Sequence, residues 1–133
     1  MKVRLIIFLL LGLFSFFSIR AEKRIEVVYL TANAYCPSVE QIEKEAKSVI
    51  DSLFVTEKKS GTIIERKLNI MEDANQDFIH KYEISTNGLI FLVHDNEKCE
   101  KIDLNDFAFS NVPSDIPAFK KGLAGKIQHI LNK

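Results

Sequence analysis

Residues 24–41 read RIEVVYLTANAYCPSVEQ, and the way this stretch changes character decides the fold. Its first part, RIEVVYLT at 24–31, is a continuous apolar and β-branched run flanked by charge, which suits a strand buried on both faces. From Val39 the apolar positions change period. Val39, Ile42, Ala46, Val49, Ile50 and Leu53 step by three and four, giving one stripe of an amphipathic helix. Ser38, with Gln41 three residues later, reads as a capping box in which the serine accepts from an orphan N–H and the glutamine reaches back. The helix is therefore expected to begin just after Cys36, which leaves a single thiol at a strand-to-helix turn.

Working outward, TEKKSG at 56–61 breaks the helical pattern and Gly61 serves as its end signal. The segment TIIERKLNIM at 62–71 is expected to be a second strand, although its charges fall in the middle. Asp73 to Tyr82 fits a short helix with Ala74, Phe78 and Tyr82 on one side. A strongly apolar strand follows, GLIFLVH at 88–94, then the polar turn Asp95-Asn-Glu-Lys98 and a returning strand from Cys99 to Leu104. The last helix runs from about Asp115 to Leu131, with Pro117 tolerated in its first turn. Its buried face comprises Ile116, Phe119, Leu123, Ile127, Ile130 and Leu131, and Gly122 and Gly125 weaken it.

The predicted order is strand, helix, strand, helix, strand, strand, helix. A right-handed crossover makes the first two strands parallel, and a hairpin is antiparallel by construction. An α/β fold with one mixed four-stranded sheet and helices on both faces satisfies both conditions.

The chain has 133 residues, room for one domain of ordinary size once its N-terminus is set aside. Lys2 and Arg4 precede an apolar run of 15 residues, Leu5 to Ile19, and the polar stretch Arg20-Ala-Glu-Lys-Arg24 follows. This is the order of a secretory signal peptide. The run is shorter than the roughly 20 residues a spanning helix needs, which favours cleavage over permanent anchoring. Residues 1–21 are thus expected to be a signal peptide cut after Ala21, and 22–133 the domain. The alternative is a membrane anchor formed by an uncleaved signal. Removing residues 1–21 takes away Lys2, Arg4 and Arg20 and no acid, leaving 15 basic against 18 acidic side chains. The lysines are scattered among carboxylates, so no nucleic-acid footprint is present, and no membrane association is expected after cleavage.

Export would place both cysteines where disulfides persist, so Cys36 and Cys99 are considered first as a pair. In the inferred topology Cys36 lies at the C-terminal end of the first strand. The third strand begins near that end and runs away from it for about seven residues, some 20 Å at roughly 3.3 Å each. A disulfide needs Cα atoms within about 7 Å, so no Cys36 to Cys99 bridge is expected. Cys99 then reads as an isolated cysteine, with intermolecular pairing as a lesser alternative.

Cys36 is the candidate catalytic residue. A thiol beside a helix N-terminus faces exposed N–H groups and the positive end of the helix dipole, which favours thiolate; a buried packing cysteine is the other reading. A dithiol site would repeat the cysteine three positions on, where Val39 stands. The resolving thiol that releases a mixed disulfide is therefore missing, and rapid exchange within the site is not expected. Tyr35, Pro37, Ser38 and Val39 surround the thiol as candidate binding residues. The returning strand brings Asp106, Phe107, Phe109 and Ser110 toward the same end, where Phe107 and Phe109 either form an apolar rim for a partner or cover the core. His80, His94 and His129 fall on three elements and show no metal spacing with Cys36. Glu40, Glu43 and Glu45 read as a solvated helix face, Glu40 also suiting the dipole. No phosphate loop is present, and no cofactor is implied.

The element order is that of the thioredoxin core, and Cys36 resembles the first cysteine of a thioredoxin-like Cys-x-x-Cys motif, with YCP similar to the glutaredoxin form. Over most of the domain, VVYL, CPSVEQIEKEAKSVI, HKYEIST, LIFLV, IDLNDFAFSN and FKKGLAGKI resemble a bacterial thioredoxin-like family, nitrophenyl compound nitroreductase subunit ArsF. The most specific phrase is DL-x-x-FAFS at 103–110. That family usually carries a Cys-x-x-Cys pair; here Cys36 matches the first cysteine and Val39 replaces the second. The thioredoxin cis-proline would fall near Asn87 or Gly88 and is absent. The resemblance implies a thioredoxin-like fold and a reductive role as a subunit. Two functions follow from the residues and the resemblance together. One is single-thiol redox work at Cys36 on protein or small-molecule thiols and disulfides, in the periplasm or outside the cell. The other is a noncatalytic binding or assembly module using Tyr35, Phe107 and Phe109.

Overall fold

The computed structural model describes residues 22–133; the expected signal peptide, residues 1–21, lies outside the described residues. The elements are β1 (Arg24–Thr31), α1 (Pro37–Leu53), α2 (Val55–Ser60), β2 (Ile63–Asn69), α3 (Gln76–Lys81), β3 (Gly88–Asp95), β4 (Lys98–Asp103), α4 (Asn105–Asn111) and α5 (Ile116–Leu131). A 3-10 turn at Asp73–Asn75 leads into α3.

The strands form one mixed sheet of four in the order β2-β1-β3-β4. β1 pairs in parallel with β2, while β3 is antiparallel to both β1 and β4. Because side chains alternate across a strand, the apolar runs of β1, interrupted by Glu26, and of β3 feed two cores. Ile25, Val27 and Tyr29 of β1, with Leu89, Phe91 and Val93 of β3, pack on one face beneath Ile42, Ala46 and Ile50 of α1 and Phe119, Leu123 and Ile127 of α5. Val28, Leu30, Ile90 and Leu92 point to the other face, with Leu68 of β2 and the partly buried Phe78, Tyr82 and Ile84. Helices thus cover both faces. Each fully buried Ile, Leu or Phe in these layers is worth about 1.5–3 kcal/mol of removal from water, which is why the central strands have no polar alternation.

The central charges of β2 have identifiable partners. Glu65 accepts a 2.7 Å hydrogen bond from the Tyr29 hydroxyl, Arg66 pairs with Glu26 at 3.2 Å, and Lys67 pairs with Glu43 at 2.7 Å. An edge strand tolerates such residues because the long side chains reach laterally over its neighbours.

Three local expectations are corrected, and one unassigned segment proves to be a helix. Ser38 does not cap α1. Pro37 holds the first helical position, Cys36 is the N-cap, and its side chain makes no capping hydrogen bond. Proline's fixed φ and missing N–H suit that position, so the helix does begin just after Cys36, as expected, and only the cap is misassigned. TEKKSG is not a break, since the chain turns at the buried Phe54 and continues as α2 through Ser60. Gly61 does end α2, with φ at +79°. The segment after β4 is helix α4, built on Leu104, Ala108 and Val112 at four-residue spacing, all buried. The third correction concerns Glu43 and Glu45, which are each only 8% exposed and so are not a solvated face. Lys47 and Lys67 cover Glu43, and Lys120 pairs with Glu45 at 3.0 Å. Burial opposes the charge on Glu43, but hydrogen bonds from the two ammonium groups outweigh it and hold the carboxyl below its ordinary range.

Candidate functional site at the β1–α1 turn

β1 ends at Thr31, and a short turn delivers Cys36 to the N-terminus of the 17-residue helix α1. The Cys36 backbone is extended, with φ −130° and ψ 103°, and its carbonyl accepts from Glu40 N–H at 3.2 Å. Pro37 has no N–H to offer, so the first free donors of the helix are those of Ser38 and Val39. Cys36 is half-buried and unbridged. Its thiol is therefore next to the helix start and is not used as a cap.

The turn is pinned from the side by Asn69, whose Nδ2 donates to Asn33 Oδ1 at 2.8 Å and whose Oδ1 accepts from Met71 N–H at 2.9 Å. Around the thiol runs an open groove of about 300 Å³, bordered by Tyr35, Val39, Glu40, Lys67 and Asn87 among others. Tyr35 is 73% exposed, whereas Val39, one helical turn from Cys36, is buried at 4%. A hydrogen bond to Glu40, reinforced by that carboxylate's charge, pushes the Tyr35 phenol up from its ordinary value. Lys67 borders the same groove while also pairing with the buried Glu43.

Asn87 stands where the chain enters β3, and Gly88 behind it has φ at +143°, a conformation that L side chains rarely adopt. A Cβ at Gly88 would lie 1.9 Å from Asn105 Oδ1, the atom that accepts the Leu89 N–H at 2.8 Å. Glycine at 88 thus lets α4 bind the start of β3 and so fixes the strand entry beside the groove.

Phe107 and Phe109 take a different place from the groove residues. Both are partly buried against the main core, and neither borders the Cys36 groove. The Phe107 ring stacks on Phe119 with centroids 5.4 Å apart and fills the space above Gly122, where a Cβ would lie 2.8 Å from the ring. Tyr35, Cys36 and Val39 therefore share one surface, and Pro37 and Ser38 are the first two residues of the helix beside it.

Cys99 lies at the far end of the sheet, since β3 meets β1 at Gly88 opposite Leu30 and leaves it at His94 opposite Arg24. It is exposed and unbridged, in line with the expected separation of the two thiols. Cys99 is not isolated from polar groups, however. The two-residue turn Asn96-Glu97 sets His94 directly across from it, an arrangement that the hairpin spacing itself contains. Among the described residues no three His, Cys, Asp or Glu side chains converge as a metal site, and no helix is long and apolar enough to cross a membrane.

A crystal structure of thioredoxin from Trypanosoma brucei brucei is similar over 86% of this chain and 81% of that one, with 16% identity and a TM-score of 0.50. The fold is thioredoxin-like. Looser similarity extends to thioredoxin f2 of Chlamydomonas reinhardtii, at 12% identity over 73% of this chain and 84% of that one, with a TM-score of 0.44. A complex of ferredoxin:thioredoxin reductase with thioredoxin f2 is similar at 14% identity over 82% of this chain and 79% of the matched one, with a TM-score of 0.47. Neither of these two scores reaches 0.5, and at such identities the likeness concerns fold alone. No family model and no curated protein matches the sequence.

Proposed function

We propose that the chain is an exported thioredoxin-fold protein whose single thiol at the β1–α1 turn, Cys36, exchanges with disulfides of proteins or small molecules. One observation carries this reading: Cys36 is the N-cap of a long helix, yet its side chain makes no capping bond and borders an open groove. A packing cysteine would be enclosed by the core, as Val39 is. In the step itself the Cys36 sulfur bonds to one sulfur of the disulfide, the S–S bond breaks, and the second sulfur leaves as a thiol carrying the Cys36 proton. With valine at 39, a second thiol molecule must complete the cycle by attacking the mixed disulfide.

The charged start, the short apolar run and Ala21 support export with cleavage near that residue, which would leave 22–133 as the mature domain. The resemblance of the DL-x-x-FAFS phrase supports a further element of the proposal, membership of the nitroreductase subunit family with a separate protein supplying electrons. A second reading, a noncatalytic docking module, is favoured by one specific observation, the 73% exposure of Tyr35 beside the groove.

The test uses Cys99→Ser protein, in which Cys36 is the only thiol. Incubation with oxidised glutathione is expected to give a mixed disulfide by intact mass, and reduced glutathione is expected to reverse it. A native protein that forms no adduct, while the unfolded chain does, would remove the redox reading and leave the docking module.

A further inference from the structure

The charge of the domain is unevenly distributed. Residues 22–133 carry 15 basic and 18 acidic side chains, yet 116–133 hold four lysines, Lys120, Lys121, Lys126 and Lys133, and no acid, which leaves 11 basic against 18 acidic in 22–115. All four lie in α5 or just beyond its end. Lys120 is committed inward, to Glu45 at 3.0 Å and to Ser48 Oγ at 3.1 Å. Lys121, Lys126 and Lys133 are exposed, as is His129, and Lys126 Nζ lies 4.9 Å over the Phe107 ring. Lys126, His129 and Lys133 follow one another at spacings of three and four, so they form a single outward row on the helix. A solvated helix face ordinarily mixes both signs; this one carries only the positive.

The last turns of α5 also form one wall of a recess of about 760 Å³. Lys98, Glu100 and Ile102 of β4 form the other wall, on the side of the sheet to which their partners Phe91 and Val93 of β3 point. Val93, Ile102 and Ile130 give the recess an apolar floor, and His129 and Lys133 belong both to it and to the row on α5. Of its two acids, Asp95 pairs with Lys23 at 3.6 Å, and the same ammonium donates to the Ile130 carbonyl at 3.4 Å, so both negative groups are answered within the fold. Glu100 is the other acid, against Lys98 and Lys133. β4 is the last strand of the sheet, which leaves the recess accessible along the strand to an extended chain.

We propose that this surface docks an acidic, extended segment of a partner protein, with an apolar side chain entering the recess between Ile102 and Ile130 and carboxylates meeting Lys98, Lys126 and Lys133. Shape and charge select a protein segment over a bilayer or a nucleic acid. A broad anionic surface would face the domain's excess of three acids as well as α5, whereas a narrow segment meets only the cationic row. A bilayer surface also cannot enter a recess walled by a helix and a strand. The recess lies at the end of the sheet opposite the β1–α1 turn, so a partner held there leaves the Cys36 groove open, and the proposal does not depend on the chemistry of that thiol.

The experiment uses the isotope-labelled full chain recovered from an exporting bacterial host, and the probe is a synthetic peptide in which glutamates flank a leucine. At low salt the peptide is expected to shift the amide resonances of Ile102 and Ile130 and to leave those of Val39 and Asn87 in place. Salt should weaken binding, because the screening length falls from about 10 Å at 0.1 M to about 3 Å at 1 M. Lys98→Glu combined with Lys133→Glu, both at exposed positions, is expected to raise the dissociation constant about fivefold or more, the scale of two exposed ion pairs lost together. The counterpart peptide with lysine in place of glutamate tests the same point on the unaltered protein and is expected to cause no shifts. Equal binding of the two peptides would overturn the proposal, as would a saturating acidic peptide that moves no resonance of the recess. Vesicles of phosphatidylglycerol that bind the protein while the peptide does not would replace the protein partner by a membrane and overturn it as well.

Discussion

Replacing Gly88 by alanine tests how the groove wall is built. The new Cβ would lie 1.9 Å from Asn105 Oδ1, at a backbone φ of +143°. The conformation alone costs about 1–3 kcal/mol for a residue with a side chain. Asn105 must also move away, which leaves the buried Leu89 N–H without the acceptor now at 2.8 Å. An unpaired buried donor costs a further 1–3 kcal/mol or so. The sum, about 4 kcal/mol, is a large part of the roughly 5–15 kcal/mol that holds a domain folded. With a urea slope of about 2 kcal/mol per M, the unfolding midpoint should fall by about 2 M. A double-mutant cycle separates the two terms. In an Asn105→Ala background nothing remains to collide with, so Gly88→Ala should cost only the backbone strain, and the two substitutions should couple by about 2 kcal/mol. Urea titrations of the four proteins, followed by circular dichroism, measure this. Additivity within about 0.5 kcal/mol would refute the reasoning.

Val39→Cys should form a reversible disulfide with Cys36 and raise thiol-disulfide exchange, because the buried Val39 borders the same groove one helical turn away; peptide mapping before and after reduction checks the bridge. Phe107→Ala should destabilise the fold by about 2 kcal/mol, less than for a fully enclosed ring, and leave the reaction rate of Cys36 unchanged. A slower Cys36 in that variant would return Phe107 to the site. Burial and the hydrogen bond to Glu65 push the Tyr29 phenol up from its ordinary 10.0. Stability linked to this group is therefore complete below pH 10 or so and is lost as the unfolded chain ionises above it, and Tyr29→Phe should flatten that alkaline loss in melting experiments. Glu43 has the opposite sign. Its carboxyl is held below the ordinary 4.5, so its contribution is present above that pH and disappears on acidification, and Glu43→Gln should lose less stability than the parent between neutral and acid pH.

The sequence made the central elements legible where one physical signal dominated. β1, apart from Glu26, and β3 are short β-branched-rich apolar runs, which suit strands buried on both faces. The hairpin turn and the stripe of α5 were equally direct. Errors arose where two signals competed. Ser38 and Gln41 fit a capping box, but Pro37 at the preceding position claimed the helix start. Leu104, Ala108 and Val112 carry a helical spacing, but the helix they build is short, and the exposed-or-buried choice at the adjacent Phe107 and Phe109 depends on α5, which packs against them. The lateral cover of Glu43 and Glu45 could not be read from one helix, because the cationic partners Lys67 and Lys120 come from β2 and α5. Of the candidate site, Cys36, Tyr35 and Val39 were adjacent in sequence and therefore easy to group. Lys67 and Asn87 border the groove only because the sheet brings three strand ends together.

The rate at which Cys36 reacts with a small disulfide is the most direct measurement of whether this turn does chemistry. It is best taken on Cys99→Ser protein near pH 7, with a chromogenic aromatic disulfide, comparing the native protein with the same chain in urea. Attack by a thiol placed at the start of α1 and open to a groove predicts a native rate constant several-fold above that of the unfolded chain. A native rate equal to or below the unfolded one would make Cys36 a packing residue and contradict the redox function.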